Sequence, residues 1–228
     1  MTSSLNVIAI VPIRGRDLET PETGMVSLGG KPLLAYTIDA AKQSQYVRNV
    51  VVSTDDDAVA LLARDLGAEA PFLRPPELAT QDIPLSHVLR HAVTWLDENR
   101  DEPVDLVVLL EMTHPLRPQG LIDKVVDVVL TEKLDSAFAA REERHEFWTF
   151  DESGNLNRLH PHDEMARHSL KPLYKEMGGL VTVVHSSVIR TGERLGQRVG
   201  VVPVRDCSSL VDLHDPDGLR LARLLLGS

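Results

Sequence analysis

The chain has 228 residues, 43% of them hydrophobic, which is enough to bury a full core and excludes disorder as an overall state. Its 24 basic against 34 acidic residues give a formal charge of -10, which repels phosphate backbones and anionic lipid, so neither nucleic acid nor membrane is expected as a partner. Cys207 is the single cysteine and excludes an internal disulfide, no apolar run reaches the roughly 20 residues of a membrane span, and "MTSSLNVIAIVPIRG" lacks a signal peptide's basic start and cleavage site. A cytoplasmic protein with one domain over 1–228 is expected.

Apolar runs of strand length predict strands at Asn6–Pro12, Asn49–Thr54, Val104–Glu111, Asp135–Ala140, Gly179–His185 and Val199–Val204. Most lack polar alternation, as strands covered on both faces do. Helical spacing recurs at Pro32–Gln43, Asp56–Gly67, Pro84–Asn99, Pro118–Thr131 and Asp215–Leu226. Proline at or near the first, third and fourth of these fits a helix start, where its missing N–H costs little. Asp215 followed by Pro216 reads as an N-cap with proline at the first helical position. Strand and helix in alternation predict an α/β three-layer sandwich with a mainly parallel sheet, whose ligands bind beyond the carboxyl ends of the strands.

The pattern breaks over about 141–177, where a long irregular insertion carries Phe147, Trp148 and Phe150 and a hairpin signal, "FDESGNL". Nine histidines raise the question of a metal site. His160 and His162 lie two apart in the insertion and do not complete one, and His87 and His91, four apart on one helical face, suit a core or surface role.

The loop after the first strand has neither a dinucleotide-binding glycine fingerprint nor a Walker loop, because "GGKP" follows Lys31 with Pro32. Its length suits a lid over a nucleotide. "PIRGRDLETPETGMVSLGGKPLLAYTIDAA", Pro12–Ala41, resembles the opening signature of the acylneuraminate cytidylyltransferase family, which begins Pro-x-Arg-Gly and ends Gly-Gly-Lys-Pro-Leu. Four further segments resemble later family boxes in the same order: "RPPELATQDIPLSHVLRHAV" (Arg74–Val93), "LLEMTHPLR" (Leu109–Arg117), "RHSLKPLYKEMGGLVTVV" (Arg167–Val184) and "LVDLHDPDGLRLARLL" (Leu210–Leu225). The resemblance implies a Rossmann-like, nucleotide-diphospho-sugar transferase fold with a protruding dimerisation arm, and a homodimer.

The same resemblance implies transfer of CMP from CTP to the anomeric hydroxyl of a sialic-acid-like 2-keto-3-deoxy sugar acid, with pyrophosphate leaving. It implies Mg²⁺, with Mn²⁺ as a substitute, held at Asp212 and His214; histidine stands where the family has a second aspartate, which favours Mn²⁺ over Mg²⁺. Arg14, Arg16 and Asp212 fall at catalytic positions. Arg14, Gly15, Arg74, Asp82 and Glu111 fall at nucleotide-binding ones. Lys175, Arg167, Tyr174 and Glu111 fall where the sugar acid is gripped, Lys175 replacing an arginine and Glu111 a glutamine. The family's two first-loop lysines align with Leu18 and Thr23, so Arg16 either takes over part of the phosphate attraction or pairs with Asp17 or Glu19. Three readings follow: an active cytidylyltransferase, a weak or inactive member acting as a nucleotide- or sugar-binding partner, and a transferase with a changed substrate. Arg117 keeps its family position and reads as a structural salt-bridge former.

Overall fold

The computed structural model describes residues 5–15, 26–159, 171–215 and 217–227. Arg16, Leu18, Thr23, His160, His162, Arg167 and Pro216 lie outside the described residues.

The sheet is built around β1 (Val7–Pro12), β4 (Asn49–Ser53) and β5 (Leu106–Leu109), which run parallel with β1 in the middle. Short strands β2 (Ser27–Leu28) and β3 (Lys31–Pro32) form a hairpin before α1 (Leu33–Lys42). Further along come α2 (Asp57–Asp65), α3 (Leu85–Asn99), α4 (Leu121–Thr131), β6 (Ser136–Glu143), β7 (Trp148–Phe150), β8 (Leu156–Arg158) and β9 (Leu173–Glu176). The chain closes with β10 (Thr182–His185), α5 (Ser186–Arg190), β11 (Val199–Pro203) and α6 (Gly218–Leu226). The sheet order is β11-β6-β10-β5-β1-β4, with β9 paired to the far end of β6. β10 runs against both neighbours, and β9 against β6. The remaining five strands share one direction, the mainly parallel sheet read from the sequence.

Alternation along the central strands explains the three layers, since successive side chains of a strand face opposite sides. Val7, Ala9 and Val11 of β1, with Leu106 and Val108 of β5, pack with Leu34 and Ile38 of α1, Val59 of α2 and Val125 and Val129 of α4. Ile8 and Ile10, with Val107 and Leu109, pack on the other face with Leu89, Val93 and Leu96 of α3 and Ile189 of α5. Each such side chain contributes roughly 1.5–3 kcal/mol on burial. A third cluster seats α6 through Ala222 against Leu28, Leu33, Val211 and Leu213.

Two expectations differ from the structure. The insertion is regular at both described ends: β6 runs on to Glu143, and β9 pairs with it in the register Arg141↔Lys175. Asp215 does not cap α6. That helix starts at Gly218 with Asp217 at its N-cap and no side-chain cap, while the Asp215 carboxylate accepts Asp217 N at 3.0 Å in a local turn. The turn is tight because Gly218 N also donates to Asp215 O at 2.8 Å, and a Cβ at residue 218 would sit 1.9 Å from Asp212 O. The hairpin signal is realised in β7 and β8, where Trp148 faces Arg158 and Phe150 faces Leu156, every strand residue being exposed. Among the described residues, no helix is long and apolar enough to cross a membrane.

Ile10 is fully enclosed between two layers, so Ile10→Ala is expected to lower the unfolding free energy by about 2–5 kcal/mol. Urea titration of both proteins measures it.

Candidate active site

The carboxyl ends of β1, β4 and β5 lie side by side, and the loops leaving them meet in a cleft with two chambers. The first, a cavity of about 270 Å³, is lined by Ile13, Arg14, Arg74, Leu78, Gln81, Ile83, Val88, Met112 and Thr113, among others. The second, about 420 Å³, is lined by His114, Arg141, Glu143, Lys175, Met177, Gly179, Asp212 and Asp215, among others. Glu111 and His214 line both and mark the junction.

In the first chamber, β1 leads into Ile13, whose N–H donates to Ser53 O at 2.9 Å, and then into Gly15, whose N–H donates to Asp55 Oδ1 at 3.1 Å. Gly15 passes so near the start of α2 that a Cβ would meet Asp56 Cβ at 2.4 Å, so only glycine fits here without a shift. Asp56 caps α2 by accepting Ala58 N at 2.7 Å and Val59 N at 3.2 Å. Arg74 is buried in the chamber wall. Its Nη2 donates to Ile13 O at 2.7 Å and to Asp55 Oδ1 at 3.3 Å. Burial lowers its pKa, with Asp55 opposing. Asp55, unassigned from sequence, therefore ties three segments together; its place directly after a strand's carboxyl end was the available signal. Asp82 is exposed and does not line the cavity, whereas its neighbour Gln81 does.

At the junction, Glu111 N donates to Gly179 O at 2.9 Å. The Glu111 carboxyl has no hydrogen bond or ion pair among the described residues. Burial raises its pKa, with His214 opposing and Asp212 reinforcing. Arg117 makes no salt bridge among the described residues, where the sequence reading expected one. Its Nη2 donates to Glu111 O and Gly179 O, both at 3.0 Å, and its Nε to Leu180 O. Burial pushes this guanidinium down to about 10, with Glu111 opposing.

In the second chamber, His114 is buried, with Nδ1 3.2 Å from Thr113 Oγ1 and Nε2 3.8 Å from Asp212 Oδ2. Burial pushes it down to about 4 against the pull of Asp212, so it is a neutral imidazole at pH 7. Asp212 Oδ1 accepts both the backbone N–H of His214 at 3.0 Å and its Nδ1 at 2.9 Å. Burial acts to raise the Asp212 carboxyl, but the two His214 hydrogen bonds and the nearby histidines outweigh it and hold it at about 2. Leu213 N donates to Thr113 O at 2.9 Å, which fastens the Asp212 segment to the β5 loop. Arg141 pairs with Glu143 at 3.0 Å. Lys175 has no ion-pair partner among the described residues. Tyr174, next on β9, is not among the lining residues, which on this strand are Lys175 and Glu176.

Among the described residues no three His, Cys, Asp or Glu side chains are grouped to hold a metal ion. The donor set fits a different mode, in which Mg²⁺ takes one carboxylate and completes its shell from phosphate oxygens and water. Asp212 is ionised and faces the second chamber, as that mode requires. His214 spends Nδ1 on Asp212 and so orients this carboxylate.

A layered α/β sandwich with a two-chambered cleft at its strand ends is a nucleotidyltransferase fold. The profile of the cytidylyltransferase family matches residues 8–194, and the chain belongs to that family. It is 25% identical over 225 residues to the CMP-N,N'-diacetyllegionaminic acid synthase of Legionella pneumophila, covering 97% of each. It is 29% identical over 135 residues to a pseudaminic acid cytidylyltransferase of Campylobacter jejuni, covering 59% of this chain and 58% of that one. In fold it is similar to CMP:2-keto-3-deoxy-manno-octonic acid synthetase complexed with CTP, with a TM-score of 0.70, 14% identity, and 97% and 98% of the two chains covered.

A carboxylate held below its unfolded pKa contributes stability that is full above about pH 4 and lost as the pH falls through about 2. Solvent screening keeps the effect small at a side chain 36% exposed. Asp212→Asn is expected to lessen the fall in melting temperature between about pH 4 and about pH 2, read by thermal unfolding across that range.

Proposed function

We propose that the protein transfers CMP from CTP to the anomeric hydroxyl of a sialic-acid-like 2-keto-3-deoxy sugar acid, releasing pyrophosphate. The observation that carries this reading is the pair of chambers meeting at Glu111 and His214, with Arg14 and Arg74 in the first and Lys175 in the second. Apolar walls at Ile13, Leu78, Ile83 and Val88 suit a nucleobase and ribose. Arg14 supplies a cation for the phosphates. The Lys175 ammonium takes the sugar-acid carboxylate as a point charge rather than a planar fork. The sugar hydroxyl then meets the α-phosphorus at the junction. Its oxygen gives up its proton to water and forms the new O–P bond, the bond from the α-phosphorus to the bridging oxygen of the β-phosphate breaks, and pyrophosphate leaves.

Net charge of -10 opposes a substrate pair this anionic, and the junction relieves part of that opposition. Burial raises the pKa of Glu111 and so disfavours its negative charge at the point where the two substrates touch, with His214 opposing. Asp212, oriented by His214, would hold Mg²⁺ or Mn²⁺. The ion supplies charge neutralisation on the triphosphate when bound. Legionaminic- and pseudaminic-type sugar acids, named in the two relatives, are the first substrates to assay. Leu18 and Thr23 at the family lysine positions support a second reading, a nucleotide- or sugar-binding partner without turnover.

Pyrophosphate release with CTP, Mg²⁺ or Mn²⁺ and a panel of such acids tests the first reading. CTP-dependent thermal stabilisation without release would favour the second. In the active case, Lys175→Ala is expected to raise KM for the sugar acid about 10- to 100-fold, the loss of one charge-assisted contact, with KM for CTP little changed.

A homodimer is also proposed. Phe147, Trp148, Phe150, Leu156 and Leu159 are exposed on and around the β7–β8 hairpin, an apolar surface suited to an interface. Sedimentation at micromolar concentration is expected to show a dimer, and the double variant Trp148→Asp, Phe150→Asp a monomer with native circular dichroism.

A further inference from the structure

Two buried polar atoms have no hydrogen-bond partner among the described residues: Nε of Arg74, which lines the first chamber, and Nδ1 of His91, which lines a neighbouring outer cavity that shares Leu78 with it. The segment carrying Arg74 is extended beside β4: Leu73 bridges Thr54, and Arg74 N donates to Thr54 O at 2.7 Å. Side chains two apart on an extended segment share a face, so Phe72 and Arg74 point the same way. The Phe72 ring meets the His91 ring edge to face, with centroids 4.9 Å apart, which puts the imidazole on the face of the segment that Phe72 and Arg74 share, near enough for the guanidinium to act on it electrostatically. On α3, His91 follows Val88 by three residues and so shares its face; Val88 lines the same chamber as Arg74. The two atoms without partners therefore lie on elements that pack together between the first chamber and the outer cavity, and their chemistry is complementary. A guanidinium Nε–H only donates, and an unprotonated imidazole nitrogen only accepts.

We propose that His91 is a positioning residue for Arg74, its unprotonated Nδ1 accepting the Arg74 Nε–H through one buried water. Arg74 Nη2 is already fixed by Ile13 O and Asp55. Fixing Nε as well locks the plane of the guanidinium and leaves Nη1 as its donor toward the chamber. This inference rests on the first chamber being the nucleotide site, and it gives His91 a part in that site's affinity. The charged groups around His91 are Arg74, Glu77 from the turn Pro76–Leu78, and His87, Arg90 and Glu98 of α3, which share the outer cavity with it. Burial and Arg74 both disfavour the imidazolium, with Glu77 opposing. When acid pH does protonate the ring, Nδ1 ceases to accept and the ring repels Arg74. Nucleotide binding then weakens.

The test pairs ring ¹⁵N spectra of the full chain with CTP titration calorimetry of the wild type, His91→Phe and His91→Asn, at about pH 8 and about pH 5.5. Phenylalanine keeps the packing on Phe72 without an acceptor, and asparagine returns a polar oxygen near the place of Nδ1. Expected are an Nε2–H tautomer whose Nδ1 signal moves in Arg74→Lys, a CTP Kd raised about tenfold in His91→Phe, and recovery of most of that loss in His91→Asn. The acid weakening of the wild type is expected to exceed that of His91→Asn. A proton on Nδ1, or CTP binding by His91→Phe at wild-type strength, overturns the proposal. Wild-type protein that binds no CTP defeats the cytidylyltransferase reading instead, and the tautomer and its response to Arg74→Lys still decide the His91 contact.

Discussion

Everything at the junction of the two chambers depends on one buried cation, Arg117, bound to three backbone carbonyls. β5 and β10 run antiparallel inside an otherwise aligned set of strands, and just past their paired residues the ladder stops. Gly179 O there accepts Glu111 N–H, and Glu111 O accepts His114 N–H, each with a lone pair to spare. Arg117 Nη2 reaches both of these carbonyls and its Nε reaches Leu180 O. A buried charge is costly unless it is well bonded, and these carbonyls satisfy Nη2 and Nε of the arginine, while Nη1 has no partner among the described residues. The result holds Glu111 at the end of a rigid strand, and with it the boundary between the chambers. A helix-start arginine in the sequence suggests a salt bridge; only the geometry shows that its partners are main-chain oxygens.

The charges around that boundary are sorted by environment. Glu111 and Asp212 are both carboxylates in one cleft, yet burial raises the pKa of the first, while hydrogen bonds from His214 depress that of the second. His114 is kept neutral between them. Two like groups pushed in opposite directions are thereby made chemically distinct, the second of them a fixed anion.

Much of this architecture is legible in the sequence, because strands buried on both faces leave continuous apolar runs: five of the strands and all five long helices fall within the segments those runs and spacings mark, and β6 starts in one and runs past it to Glu143. What apolar runs do not encode is direction: "GLVTVVH" reads the same whether β10 runs with or against β5. The pairing of β9 with the far end of β6 is hidden for another reason. Its residues are polar and largely exposed, so no hydrophobic pattern announces it. At the site, Arg14, Arg74, Glu111, Lys175, Asp212 and His214 line the two cavities where the motifs suggest, whereas Asp82 and Tyr174 do not. Tyr174 falls one residue short of the lining stretch, which begins at Lys175. Asp55 was hidden because its partners are 40 residues back, at Gly15, and 19 residues ahead, at Arg74.

Gly179 is not set by backbone conformation, and its φ is not in the left-handed region. It is small because a Cβ there would lie 2.5 Å from His114 Nδ1 and 2.6 Å from His114 Cε1. Positions 114 and 179 thus divide one volume between them. A lineage that shrank residue 114 would free residue 179 to enlarge, and one that kept the imidazole would hold the glycine in place. Their substitutions should be inherited as a pair, so the size of one residue in a related chain reports on the other, 65 positions away by subtraction of 114 from 179.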